Sequence, residues 1–256
     1  MSRSTPCIVR HANLNVVAAT VGILALVTSC GTTSKGPDLG SASFTKLVRM
    51  AHASVIAPGP VDDVVARSEL VAQGTLVGVK AGRDIGDVVS TAVYEFRVTR
   101  VLSGERPDGQ ENPVYVEVAR SQMVTAEMLD KAAPKGAKAL LMVMRLPDPD
   151  RCGPTVPPTR NKGAGLPVGA TLMVPTHPTP GIGLELPDGS EFSLAGEGDY
   201  GGGLVGLEGV PRKIDAQATA LADRISSRGL HSRGKDDPNP LVPPCAAQTS
   251  VPAKTG

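Results

Sequence analysis

The clearest alternation in the chain lies at residues 91–102 (TAVYEFRVTRVL), where Tyr94, Phe96 and Val98 fall on one face and Glu95, Arg97 and Thr99 on the other. Side chains of a strand alternate with a period of two, so this stretch predicts a half-buried strand. Val114, Val116 and Val118, interleaved with Tyr115 and Glu117, predict another. Residues 70–79 (LVAQGTLVGV) are rich in aliphatic and β-branched side chains, which suit a pleated surface. Residues 139–144 (ALLMVM) form an unbroken apolar run between Lys138 and Arg145, the pattern of a strand covered on both faces. Shorter strands are expected at 170–174 and 182–186, and Pro187-Asp188-Gly189 is a turn from which 191–194 returns.

Helical spacing is rarer. Phe44, Leu47 and Val48 share one face of a short helix within residues 43–50, and residues 61–67 (VDDVVAR) read as a turn or two leading into a strand. Thr125 caps a short helix over 125–133 that Pro134 stops. Ile214, Ala218, Leu221, Ala222 and Ile225 repeat at helical spacing, with Asp215 as the candidate cap and Gly229 as the stop. Strands come first, hairpins are signalled, and no strand–helix rhythm appears. The expected fold is mainly β, or α+β: a single open β-barrel or sandwich of about six to eight strands with one or two packed helices.

The amino terminus follows another rule. Arg3, Arg10 and His11 make a basic start without acidic residues, followed by an apolar run of 12 residues, 16–27 (VVAATVGILALV). At 1.5 Å per residue that is about 18 Å of helix, too short for a bilayer core of roughly 30 Å. It suits the hydrophobic region of an export signal. The run ends in Val27-Thr28-Ser29-Cys30-Gly31, which resembles the lipobox of bacterial lipoproteins: an aliphatic residue, two small ones, then cysteine. The resemblance implies that the Cys30 thiol receives a diacylglyceryl group, that cleavage falls between Ser29 and Cys30, and that Cys30 becomes the first mature residue. Anchoring by two or more acyl chains is stable, at about 0.8 kcal/mol per buried methylene. The organisation expected is a signal peptide at 1–29, a flexible tether at 30–42, a β-rich domain at 43–229 and a Pro-rich tail at 230–256.

A second resemblance concerns the middle of the chain. In residues 68–102 a strand carrying Gly74-Thr75 is followed by a long strand running into Leu102-Ser103-Gly104. This resembles the opening of small OB-like β domains in exported bacterial proteins. It implies a fold, and a fold does not decide a function.

Composition narrows the partners. The 26 Lys and Arg against 25 Asp and Glu give a net charge of +1, no basis for recruiting nucleic acid. Three Tyr, three Phe and no Trp leave no stacking platform for bases. Loss of the signal would remove Arg3, Arg10 and Cys7, and lipid would consume Cys30. Cys152 and Cys245 would then remain, and outside the cytoplasm two leftover cysteines usually pair. Such a bridge would stabilise by roughly 4–5 kcal/mol in the chain-entropy model. Two free thiols, or metal ligation, stay open as alternatives.

Candidate chemistry is sparse. His52, His177 and His231 would survive maturation, none at zinc-helix spacing to another, and no Gly-x-Ser-x-Gly elbow occurs. Gly196-Glu-Gly-Asp-Tyr-Gly201 matches a dinucleotide pattern literally, but Gly202 and Gly203 follow where a helix should open. Glu197 and Asp199 would also sit against the pyrophosphate. Tyr200 in that segment is a candidate ligand contact. Asp148-Pro-Asp150 and Asp236-Asp237 lack the run of oxygen ligands that calcium needs. No catalytic residue, metal or cofactor is therefore expected. The leading reading is a lipid-anchored extracytoplasmic domain, with the membrane reached through its lipid, that binds an envelope protein or a small ligand without catalysis. The alternative is an anchored hydrolase that brings His177 or His52 to a serine or carboxylate across the fold. Inhibition of proteases in the manner of tissue-inhibitor-type domains would need a free amino-terminal cysteine, which lipid on Cys30 would block.

Overall fold

In this computed structural model the described residues are 43–50, 59–85, 89–107, 113–145, 166–167, 170–177, 181–194 and 204–234. In chain order they form α1 (Phe44–Arg49), α2 (Val61–Arg67), β1 (Leu70–Ile85), β2 (Val89–Gly104), β3 (Val114–Arg120), α3 (Ala126–Ala132), β4 (Lys138–Arg145), β5 (Leu172–Pro175), β6 (Ile182–Glu185), β7 (Glu191–Ser193) and α4 (Ile214–Arg228). The protein is mainly β, one seven-stranded mixed sheet among the described residues that partly closes on itself.

Closure follows from β1. Its whole length pairs with β2, and its first half, Leu70 to Thr75, also pairs with β4 on the other edge. β2 pairs antiparallel with β3, β3 pairs parallel with β5, and β5 pairs antiparallel with β4. The ring therefore runs β1-β2-β3-β5-β4 and back to β1. β6 pairs with β4 at Ala139, Leu140 and Leu141, next to β5, and carries β7 outward. β1 can bend into both pairings because its register with β2 shifts at four places, each adding local twist. Gly74 sits at one shift, and a Cβ there would lie 2.6 Å from the Arg97 carbonyl oxygen, so only glycine lets the strands approach.

Two apolar clusters fill the molecule. The first lies inside the ring and includes Leu70, Leu76, Tyr94, Phe96, Val116, Leu141 and Val143. α1 adds Phe44, Leu47 and Val48 to it, and α3 adds Leu129. Phe44 stands edge-on to Tyr94 and Phe192, with ring centroids 6.4 and 6.3 Å apart. The second lies on the outer face of β1 and β4, where Val71, Leu140 and Met142 meet Val64 and Val65 of α2 and Ala218, Leu221 and Ile225 of α4. The unbroken apolar run of β4 thus has its predicted cause: alternate residues serve different cores.

Three local readings change. β1 does not end at Val79 but continues to Ile85, through polar residues that Glu117 and Thr91 hold in place (below). Tyr115 and Glu117, the polar face expected of β3, are as buried as its valines. Asp215 does not cap α4: the cap position is Lys213, and the Ile214 N–H donates to Glu185 Oε2 at 3.0 Å. Asp215 instead binds Lys138 and Gln73, tying α4 to β4 and β1. The other helix signals hold. Thr125 Oγ1 accepts from Met128 N at 3.2 Å, and Gly229 closes α4 in the left-handed region at φ 60°.

Candidate functional site

Ser29, Cys30, His52, Cys152, Tyr200 and Cys245 all lie outside the described residues. His177 and His231 lie within them. His231 is exposed, two residues beyond the Gly229 stop of α4. His177 follows β5, and its imidazole faces Gly59 so closely that a Cβ there would lie 3.6 Å from Cδ2 and Nε2. Its carbonyl accepts from Gly181 N at 2.9 Å.

Next to His177 in the chain, Thr176 belongs to a buried polar cluster at the start of β1. Ser68 is fully buried at the carboxyl end of α2, and its hydroxyl donates to Val64 O at 2.7 Å. With that single hydrogen committed, the 2.9 Å contact between Ser68 Oγ and Thr176 Oγ1 has the threonine donating. Glu69, 7% exposed, pairs with Arg145 at 3.3 Å and Arg233 at 3.6 Å. Arg233 N donates to Ser68 O at 2.9 Å, and Ser232 N donates to Ser103 Oγ at 3.1 Å. The chain just past α4 is thereby strapped across the starts of β1 and the end of β2. Composition gave no sign of this strap, because His231-Ser232-Arg233-Gly234 reads as solvated until the tertiary fold brings it to Glu69. Chemically the cluster clamps four strand ends, those of β1, β2, β4 and β5. The Ser68 hydroxyl is fully buried and its proton is held by a helix carbonyl.

A second cluster staples the far end of the barrel. Arg83 Nε donates to both oxygens of Glu117 at 3.0 Å, and Nη2 donates to Oε2 at 2.5 Å. The Arg83 N–H also reaches Glu117 Oε1 at 3.2 Å, and Thr91 Oγ1 lies 2.7 Å from the same oxygen. A forked guanidinium on a carboxylate is the strong form of this contact. Beside it Lys80 pairs with Glu95 at 2.9 Å, its ammonium 5.2 Å from the Tyr115 ring centroid. The bond to Glu95 holds Lys80 above the ordinary ammonium range.

A third group joins helices. Arg224 and Arg228 of α4 both bind Asp62 of α2, and Arg224 Nη1 donates to Gly206 O at 2.8 Å. The Arg224 guanidinium, outweighing the burial that opposes it, holds the Asp62 carboxyl below the usual carboxylate range. Burial pushes the Tyr94 phenol far up, so it stays neutral in the core. Among the described residues no group of three His, Cys, Asp or Glu is placed to hold a metal ion, and no helix is long and apolar enough to cross a membrane. The chain matches no family model and no curated protein.

Proposed function

We propose that this protein is a bacterial lipoprotein, anchored outside the cytoplasm through Cys30, whose barrel is a non-catalytic binding or interaction domain. The observation that carries the reading is the order basic start, 12 apolar residues, then Val27-Thr28-Ser29-Cys30. Small residues before the cysteine suit a narrow peptidase pocket, and a thiol is the side chain that alkylates to a stable thioether. The ring order β1-β2-β3-β5-β4, with α3 between β3 and β4, supports an OB-like barrel as the displayed module. The non-catalytic reading is supported by how the polar groups are spent. Ser68, Glu69, Arg83, Thr91 and Glu117 are each engaged in buried contacts that hold strand ends together.

Cys30→Ala in the full chain, expressed in a bacterial host and fed an alkyne fatty acid, is expected to leave uncleaved precursor and to abolish lipid labelling. Labelling that survives the substitution overturns the anchor. A bridge between Cys152 and Cys245 belongs to the same reading. Digestion of the purified full chain without reductant is expected to yield one linked peptide pair, two hydrogens lighter than the separate thiol peptides. Rapid maleimide capture of both thiols in the folded chain refutes the bridge.

A further inference from the structure

The seam between the β6–β7 hairpin and α4 holds a carboxyl group and an amide in an incomplete arrangement. Gln217 projects from the first turns of α4 with 3% of its surface exposed. Its Nε2 donates to Glu191 Oε2 at 2.8 Å. Its Oε1 is buried and, among the described residues, has no hydrogen-bond partner. An orphaned buried acceptor is costly, and native structures leave few of them. The strand opposite makes room for the pair: Gly183 faces Glu191, and a Cβ at that position would lie 3.2 Å from Glu191 Oε1.

A carboxylate offers only acceptors, so it can take one N–H from a primary amide while the amide oxygen turns away from it. A neutral carboxylic acid differs. It accepts the amide N–H on one oxygen and donates its own O–H to the amide oxygen, closing a ring of two hydrogen bonds. Both missing atoms of that ring sit on the same two carbons as the existing 2.8 Å bond. Completing it requires a proton on Glu191 Oε1 and the approach of that oxygen to Gln217 Oε1.

We propose that Glu191 and Gln217 are a proton-operated latch that fastens α4 to the β6–β7 hairpin. With Glu191 neutral the two-bond ring closes and Gln217 Oε1 is satisfied. Ionisation breaks the ring to a single bond, orphans the amide oxygen and loosens the seam. The charges around the pair come from four segments. From β6, Glu185 accepts from Ile214 N and lies 3.5 Å from Lys213. From the segment before α4 come Arg212 and Lys213, and Lys213 Nζ also donates to Gly189 O at 3.0 Å. Asp188 in the β6–β7 turn is turned inward on Ser190, and Asp215 of α4 is engaged with Lys138. Burial is the main cause that raises Glu191 above its ordinary value of 4.5; Gln217 and Arg212 oppose it, and Glu185 adds to it.

The sign follows from linkage. A raised carboxyl takes up a proton on folding. Its stabilisation is complete below the unfolded value near 4.5 and is lost as pH rises through the folded value. In that window the folding constant of the full chain is expected to fall by up to about tenfold per pH unit from this one group. The test combines urea unfolding of the full chain across this range with NMR titration of the Glu191 carboxyl carbon and the Gln217 side-chain amide. The expected result is a Glu191 midpoint above 4.5, with the Gln217 amide signals moving at the same midpoint. Glu191→Gln, which keeps a two-bond partner at every pH, is expected to remove one proton's worth of slope from the window. A Glu191 midpoint at or below 4.5, or Gln217 signals that ignore it, overturns the latch even if the variant fails to fold. The inference concerns the seam alone and stands whether or not Cys30 carries lipid.

Discussion

Arg83→Met is expected to destabilise the fold by about 3–5 kcal/mol, measured as a lowered urea midpoint at neutral pH. Glu117 is 4% exposed on β3 and takes Arg83 through Nε, Nη2 and the backbone N–H. Removing the guanidinium leaves a buried carboxylate with only Thr91 Oγ1 and the Arg83 N–H for company, and an uncompensated buried charge carries a penalty of that size. The double variant Arg83→Met with Glu117→Leu is expected to recover most of the loss, because replacing both partners removes the orphaned charge. A single variant within about 0.5 kcal/mol of the parent would show that solvent reaches Glu117 and that the contact is a surface pair. The same experiment bears on β1. Its last six residues pair with β2 and carry Arg83, so Arg83→Met is also expected to raise amide exchange at Lys80 to Asp84 above that of the first half of the strand.

Phe44→Ala is expected to cost a further about 3–5 kcal/mol, the range for truncating a buried aromatic. Phe44 is 5% exposed although it belongs to a six-residue helix that could not hold together in isolation. What orders α1 is the barrel: Phe44 closes the space between Tyr94 and Phe192, and Leu47 and Val48 enter the same cluster. Edge-on aromatic contacts add about 0.5–1.5 kcal/mol each beyond burial. Against a total stability of about 5–15 kcal/mol, the loss would leave the fold marginal. Thermal denaturation of the full chain checks this, and an unchanged midpoint would mean that α1 only rests on the barrel. The first helix among the described residues thus starts at Phe44.

Much of the architecture was legible in periodicity. Tyr94, Phe96 and Val98 point to the core as their alternation requires, and residues 139–144 form the strand their unbroken apolarity predicted. Gly229 ends α4 and Thr125 begins α3 because caps are decided by one or two residues and their own backbone. The polar clusters were not legible. Asp215 was the natural cap by position, yet α4 starts one residue before it and the leading N–H, that of Ile214, goes to Glu185, 29 residues earlier. The alternation of Tyr115 and Glu117 with the valines of β3 gave no sign of their burial, since nothing local announces that Lys80 and Arg83 will cover them. The buried Glu69 and the half-buried Glu191 look like any surface glutamate, and the residues that hold them, Arg233 and Gln217, lie far along the chain, Gln217 26 residues from Glu191.

By itself the sequence determined which segments are strands, where helices stop, that the fold is mainly β, and the order of groups at the amino terminus on which the anchoring proposal rests. These are statements about neighbours along the chain, where steric period and capping act within a few residues. Only the tertiary structure decided that β1 bends to pair on both edges, that β4 divides two cores, and that scattered charges become buried pairs. Each of these depends on contacts whose partners lie tens of residues away, and the free energy that selects them is gained only when the whole barrel closes.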